Sequence, residues 1–143
     1  MMRGLWKLIK EREVLTLLIP YPNINSNLAV ESHMYIVKNN QNFELIKCQT
    51  LKPNMINSSR FRKYIDVNPD INTNPFIKAT RVDCDKLFKT YTVEYDDRLK
   101  ASRDIEEKLY NNILAKMEED NDITYINLDE DKLVRINPLV SYR

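Results

Sequence analysis

The chain has 143 residues, of which 43% are hydrophobic and 30% are charged, and its formal net charge is +1. This length predicts one domain, over residues 1–143, with enough apolar surface for a single core. So small a net charge gives no general attraction to nucleic acid or to an acidic membrane, so any RNA binding requires a local basic patch. The single glycine excludes a P-loop or a Rossmann phosphate loop, because both need several glycines at fixed spacing.

The cysteines and the apolar runs further limit the class of protein to which this chain can belong. Cys48 and Cys84 are isolated, and with His33, the only histidine, they supply three zinc ligands where a site needs four, or three plus water. We expect both to be reduced, buried thiols in a cytoplasmic protein without metal or cofactor. We expect no membrane span, because no run of 18 apolar residues is present. Charged residues at 10–13 interrupt the first apolar stretch and argue against a signal peptide.

The first third of the chain predicts a short helix and three strands. LWKLIKERE (5–13) has the spacing of a short amphipathic helix. EVLTLLIP (13–20) is apolar and stops at a proline, which predicts the first strand, and a long polar loop follows it. HMYIVKNN (33–40) and NFELIKCQTL (42–51) predict the second and third strands, joined as a hairpin through an asparagine-rich turn.

The middle of the chain is rich in loops. After a loop over residues 53–63, YIDV (64–67) predicts a short strand. KATRVDCDKLFKTY (78–91) alternates well enough for one long strand, with a slip near Asp85 that indicates a bulge.

The clearest helix is predicted over residues 102–118. Its apolar side chains recur every four positions, at Ile105, Leu109, Ile113 and Met117. Ser102 suits the N-cap, and we expect Leu109 and Ile113 to be buried against the sheet or a dimer mate. Beyond it we predict two short strands around a turn at residues 129–131. This order predicts a mainly β, α+β fold: a small, strongly bent antiparallel barrel with a helix packed on it.

Several segments resemble the MazF/PemK-like family of type II toxin–antitoxin endoribonucleases. They are EVLTLLIPYP (13–22), SHMYIV (32–37), ELIKCQTLKP (44–53), NPFIKATRVDCDKLFKTY (74–91) and IEEKLYNNIL (105–114). That family has an SH3-like β-barrel closed by a C-terminal helix, so the resemblance implies this fold over residues 13–118. Residues 119–143 are then an extension that forms a terminal hairpin. The resemblance also implies a homodimer and an antitoxin peptide laid in the groove.

The chain departs from the family at its catalytic arginine. That arginine, just before the second strand, aligns with Ser32, and no arginine lies beside it. The glycine-rich loop that precedes it is replaced by NINSNLAVE (23–31). The fold is therefore safer to transfer from the family than the activity.

The residues nevertheless suit metal-independent RNA cleavage. This reaction needs a base for the neighbouring 2′-OH, an acid for the leaving 5′ oxygen, and a cation or donor that stabilises the charged phosphorane. His33 is the candidate acid or base, since its ordinary pKa lies near neutrality; the alternative is a histidine that only hydrogen-bonds a loop carbonyl. Thr50 is the candidate phosphate donor, or else a threonine that only favours the strand. The two can share one phosphate if they point to the same face of the hairpin.

Basic residues after the third strand supply the candidate RNA-binding surface. They are Lys52, Arg60, Arg62 and Lys63, with the ring of Phe61 available to stack on a base. Arg62, or Arg60, would stabilise charge in place of the missing arginine; the alternative is a solvated basic loop. Ser32 and Arg81 complete the predicted RNA contacts. Arg81 and Asp83 share one face of a strand, either as a site pair or as a surface ion pair.

These residues favour a cytoplasmic MazF/PemK-like endoribonuclease that cleaves single-stranded RNA, with His33, Thr50 and Arg62 as catalytic residues. The alternative is a catalytically silent protein, of phage or mobile-element origin, that binds a protein partner or RNA without cleaving it. The missing arginine favours this alternative, whereas His33, Thr50 and the basic loop favour the enzyme.

Overall fold

The computed structural model describes residues 9–39, 43–56 and 62–143. Within these residues the α-helices are α1 (Asn27–Val30), α2 (Glu107–Glu118) and α3 (Glu130–Ile136). The strands are β1 (Val14–Leu17), β2 (His33–Asn39), β3 (Glu44–Thr50), β4 (Tyr64–Val67), β5 (Thr80–Asp83), β6 (Lys86–Lys89), β7 (Val93–Tyr95), β8 (Thr124–Asn127) and β9 (Val140–Tyr142). Most of the predicted N-terminal helix and the tip of the predicted hairpin lie outside the described residues.

The fold is α+β and mainly antiparallel, as expected, but the described strands form an open sheet and not a closed barrel. Neighbouring strands follow the order β1-β2-β3-β5-β4, while β6 pairs with β3 and, in parallel, with β8. Strands β7 and β9 form a separate two-stranded sheet. The outer edge of β1 contacts Lys100 and Ala101 instead of β4, since Leu15 bridges Lys100 and the Ala101 amide donates to Val14. A connecting segment thus occupies the edge that a barrel would need.

Strands β5 and β6 are the two halves of the predicted long strand. Both pair with β3, but Cys48 lies opposite Val82 whereas Leu45 lies opposite Phe88. Between these pairings β3 moves by three residues and its partner by six, so three extra residues bulge out of the partner. The predicted irregularity near Asp85 is therefore confirmed, and it lets one continuous segment turn from one edge of the sheet towards β8.

The sheet is covered on both faces. On the face that carries α2, here called the α2 face, the core residues include Val14, Ile36, Ile46, Cys48, Val82, Ile113 and Met117. On the opposite face, here called the α3 face, they include Leu15, Leu17, Tyr35, Val37, Leu45, Phe88 and Leu133. Because successive residues of a strand alternate between faces, β2 is apolar without interruption over residues 34–37, and β3 supplies apolar side chains to both faces.

Helix α2 is shorter than predicted, since it begins at Glu107 after an N-cap at Glu106 and not at Ser102. Residues 101–106 are not helical, because amides in this segment bond elsewhere: Ile105 donates to Arg12, and Glu106 donates to Thr73. Ile105 is fully buried before the helix starts. Tyr110, Ile113 and Met117 form the buried stripe of the helix, while Leu109 is only partly buried beside it.

The C-terminal segment does not form the predicted terminal hairpin. Thr124–Asn127 is a strand, but the acidic turn after it begins helix α3, because the Asp129 side chain accepts a hydrogen bond from the Lys132 amide as an N-cap. The segment also ties back to the start of the chain. The Asn137 side chain accepts from the Leu18 amide at 3.0 Å and donates to the Leu18 carbonyl at 2.7 Å.

Candidate functional site

His33 is the first residue of β2, and its half-buried side chain lies on the α3 face. Its Nδ1 lies 2.9 Å from the Glu31 carbonyl oxygen, which can only accept, so Nδ1 carries the proton in the neutral ring. Nε2 then keeps its lone pair. Burial lowers the pKa of His33, and the positive charges of Lys47 and Lys52 lower it further. The predicted carbonyl bond is therefore present, and it leaves a neutral imidazole that can accept a proton.

Thr50 and His33 point to opposite faces of the sheet. Met34 lies opposite Cys48, so one step further along the ladder His33 lies opposite Gln49 and Ser32 opposite Thr50. Residues that lie opposite each other share a face, and their neighbours take the other face. Ser32 and Thr50, both exposed, therefore fall towards the α2 face at this end of the ladder. His33 and Thr50 flank the same end of the ladder but do not share one side of it.

The predicted basic loop does not present its described cations as one surface. Arg60 and Phe61 lie outside the described residues. Arg62 is exposed, and its guanidinium lies 3.1 Å from the carboxylate of Asp122 and 3.8 Å from that of Asp85. Arg62 precedes β4 at the end far from His33, three strands away in the order of the sheet.

Lys63 is buried and bonded within the chain, which the sequence did not indicate. It is 6% exposed, and its ammonium donates to the carbonyls of Met117 at 2.7 Å and Glu119 at 2.6 Å, and to Asp122 at 2.8 Å. It therefore satisfies carbonyls at the C-terminal end of α2 and complements the helix dipole there. The same ammonium lowers the pKa of Asp122. We predicted that Lys63 contacts RNA, and in this structure all three of its donors are engaged within the chain.

Arg81 is also enclosed. It is 2% exposed and forms a two-pronged bond with Asp66, at 2.7 and 2.9 Å. Its third nitrogen donates to the Met55 carbonyl at 2.8 Å, and its guanidinium stacks 3.7 Å from the centre of the Tyr64 ring. The Asp66 carboxylate raises the pKa of Arg81. Arg81, which we predicted to contact RNA or to pair with Asp83, thus forms a two-pronged ion pair with Asp66.

A group of polar side chains, here called the polar patch, occupies the α3 face across β2, β3, β5 and β4. The pairing of the strands aligns these side chains in two neighbouring rows that run across the sheet. The first row contains Tyr35, Lys47, Asp83 and Tyr64, and the second contains His33, Gln49, Arg81 and Asp66. Lys47 Nζ lies 3.0 Å from Asp83, which is also 3.8 Å from the ammonium of Lys86. Within the described residues, the Tyr35 hydroxyl and both Asp83 oxygens are buried without a hydrogen bond of good geometry. Burial raises the pKa of Tyr35, so this phenol stays protonated.

Lys47 is the residue of this site that we did not predict. Its signal in the sequence is a lone lysine inside the apolar run LIKCQ, two residues from the position opposite His33. Alternation places it on the face of His33, but only the pairing of β3 with β5 brings Asp83 to it. Lys52 and Ser32, by contrast, are exposed at the ladder end, as expected for residues that meet a ligand.

The cysteines are buried thiols in the α2-face core. Burial raises the pKa of Cys48, and it raises the pKa of Cys84 to about 12, so neither is a ready nucleophile.

Among the described residues, no group of three or more His, Cys, Asp or Glu side chains is placed to hold a metal ion. No helix in the described part of the chain has the length and apolar character needed to cross a membrane.

Comparisons with protein-family models, with curated proteins and with solved structures found no match for this chain.

Proposed function

We propose that this chain is a MazF/PemK-like endoribonuclease that binds single-stranded RNA at the His33 end of the β2–β3 ladder and cleaves it without metal. One observation carries the proposal. His33 holds a proton on Nδ1 through the Glu31 carbonyl and keeps Nε2 unprotonated, while Lys47 and Lys52 supply positive charge around it. A neutral imidazole beside cations is suited to take a proton from a ribose 2′-OH next to a bound phosphate.

In this reaction Nε2 of His33 removes the 2′-OH proton, and the 2′ oxygen attacks the adjacent phosphorus. The bond to the 5′ oxygen breaks, that oxygen takes a proton from water as it leaves, and the His33 imidazolium returns its proton to the solvent. The products are a 2′,3′-cyclic phosphate and a 5′-hydroxyl end, without an external cofactor. Ser32 and Thr50, both exposed at this end of the ladder, would bind the neighbouring nucleotide.

A second candidate function is RNA or protein binding without cleavage, and the state of the predicted cations favours it. Arg62, Lys63 and Arg81 all bind carboxylates or carbonyls of the chain itself. In this reading the same ladder end binds its partner, RNA or an antitoxin-like peptide, and RNA is not cleaved because the chain lacks the family's catalytic arginine.

The deciding experiment measures cleavage of a long, unstructured RNA with chelator present. We expect His33→Ala to lower the rate about 10²- to 10⁴-fold, the usual range for loss of a general base. His33→Asn keeps a donor near the Nδ1 position but has no basic nitrogen, so it should lose activity equally. Lys38→Met, at the opposite end of β2, serves as the control that should cleave normally.

Three other results are informative. Full activity in both His33 variants would remove His33 from the mechanism. A folded wild-type chain that binds RNA but leaves it intact would favour the second candidate function. A folded chain that neither binds nor cleaves RNA would contradict the RNA-directed proposal.

A further inference from the structure

We propose that Lys47 is the cation that binds the RNA phosphate beside His33, and that Asp83 is the residue that positions it. This inference rests on the proposed function and adds to it the stabilising charge that neither Arg62 nor the missing arginine supplies. Lys47 would contact a non-bridging phosphate oxygen while His33 acts on the 2′-OH.

The register places Lys47 next to His33. Lys47 lies directly opposite Tyr35, and His33 precedes Tyr35 by two residues on the same face of the same strand. Diagonal neighbours of this kind are about 7–8 Å apart at Cα, within reach of a long side chain. The register therefore places the imidazole and the ammonium on one face as neighbours, where they could contact the same phosphate.

Lys47 also has donors left to bind with. An ammonium has three N–H groups, and among the described residues Asp83 is the carboxylate found for Lys47, at 3.0 Å. The lysine side chain is 13% exposed, so it reaches the surface while most of it is shielded from water. Shielding strengthens its attraction for a phosphate compared with a fully solvated lysine.

Asp83 is shared between two ammonium groups, because Lys86 lies 3.8 Å from it and Lys47 3.0 Å. Lys86 also lies 3.5 Å from Asp85. The Asp83 carboxylate therefore orients the Lys47 ammonium while it also attracts the Lys86 ammonium. The Tyr35 hydroxyl, buried without a hydrogen bond to any described residue, lies in the same row, and such donors are a feature of sites that hold a water or ligand atom.

The first test measures binding of a single-stranded RNA as a function of salt for wild type, Lys47→Met and Lys38→Met. Losing one phosphate contact should reduce the salt slope by about 0.7. Over a fourfold rise in salt concentration, the affinity of the variant should then fall about 2.6-fold less than the affinity of wild type. Lys38 is a matched control, since it is also a partly buried β2–β3 lysine paired with a carboxylate, Glu44, at 3.4 Å. Its variant should keep the wild-type slope, and Lys47→Arg should restore most of the loss.

The second test uses inorganic phosphate as the probe and needs no RNA. His33 is the only histidine, so its ring signal in a proton NMR spectrum is assigned without ambiguity. We expect phosphate to shift this signal in wild type and in Lys38→Met but not in Lys47→Met. If Lys47→Met fails to fold, the double variant Lys47→Gln with Asp83→Asn removes both charges together and replaces it.

The outcomes separate this inference from the proposed function. RNA binding with an unchanged salt slope in Lys47→Met would overturn the role of Lys47 and leave RNA binding standing. A Lys47-dependent phosphate shift without RNA binding would keep the phosphate site and overturn the RNA function. Absence of both signals in folded wild type would overturn the two together.

Discussion

Lys63 and Lys47 are both largely buried lysines on the same sheet, but they are used differently. Lys63 donates to three oxygens at the end of α2, whereas Lys47 approaches one carboxylate, Asp83, among the described residues. A lysine with all three donors engaged has a structural role, because any ligand would have to displace existing bonds. A lysine with donors to spare, beside a histidine, can bind a ligand without that cost.

The largest expected effect on stability comes from Lys47. Lys47→Met should lower the free energy of unfolding by about 3–5 kcal/mol, because it leaves the buried Asp83 charge without its nearest partner. The double variant Lys47→Gln with Asp83→Asn should lose clearly less, since no uncompensated charge remains. Urea unfolding at neutral pH measures both. Equal losses would show that the two side chains are not energetically coupled.

Helix α2, to which Lys63 bonds at the C-terminal end, is firmly packed on the sheet. Ile113 is fully buried, so Ile113→Ala should cost about 2–5 kcal/mol. Leu109 is only partly buried, and Leu109→Ala should cost about 1 kcal/mol on the same reasoning. Thermal or urea unfolding of the two variants provides the check. A larger loss at Leu109 would indicate that another chain covers this edge of the helix.

Lys63→Met should have a smaller effect on stability and none on RNA. The bond to the Met117 carbonyl is buried, but the bond to Glu119 is only partly buried and Asp122 is 42% exposed, so water can replace part of the lost bonding. We expect a loss of about 1–3 kcal/mol, the range for leaving polar partners unsatisfied. The salt slope of RNA binding should stay at the wild-type value. A reduced slope would mean that Lys63, and not Lys47, binds phosphate.

The smallest effect concerns pH. Because the pKa of His33 is lowered in the folded chain, the unfolded chain binds a proton more readily. Stability should therefore fall as the pH drops below the ordinary histidine value of about 6.5 towards the folded pKa. Lys47→Met removes one of the charges that lower this pKa, so an NMR titration should show it rise. Lys63→Met should leave the titration unchanged, and a fall in either variant would contradict the assigned electrostatics.

The sequence predicted the elements that depend on near neighbours. The strands of the β2–β3 hairpin, the irregularity near Asp85 and the body of α2 all follow from alternation or four-residue spacing. The open sheet could not be predicted, because it depends on Lys100 reaching the edge of β1. Helix α3 was missed although Asp129 is a good N-cap, since its short apolar run also fits a strand.

The candidate site was only partly predictable, because much of it depends on contacts between residues that are distant in sequence. The position of His33 and its carbonyl bond are local. The enclosure of Lys63 depends on Asp122, 59 residues away, and that of Arg81 depends on Asp66 on another strand. A cation in a sequence shows only that a charge exists, whereas its availability depends on which carboxylate the fold brings to it.

The bond between Asn137 and Leu18 has a consequence for how the chain matures during synthesis. It joins residues 119 apart, and the neighbouring Leu133 and Val140 complete the core that contains Leu15 and Leu17. A growing chain that has already made β1, β2 and β3 must therefore leave that apolar face uncovered until the ribosome has released the region around residue 140. Contacts so distant in sequence slow folding, so newly made chains should depend on chaperones at this stage more than their small size suggests.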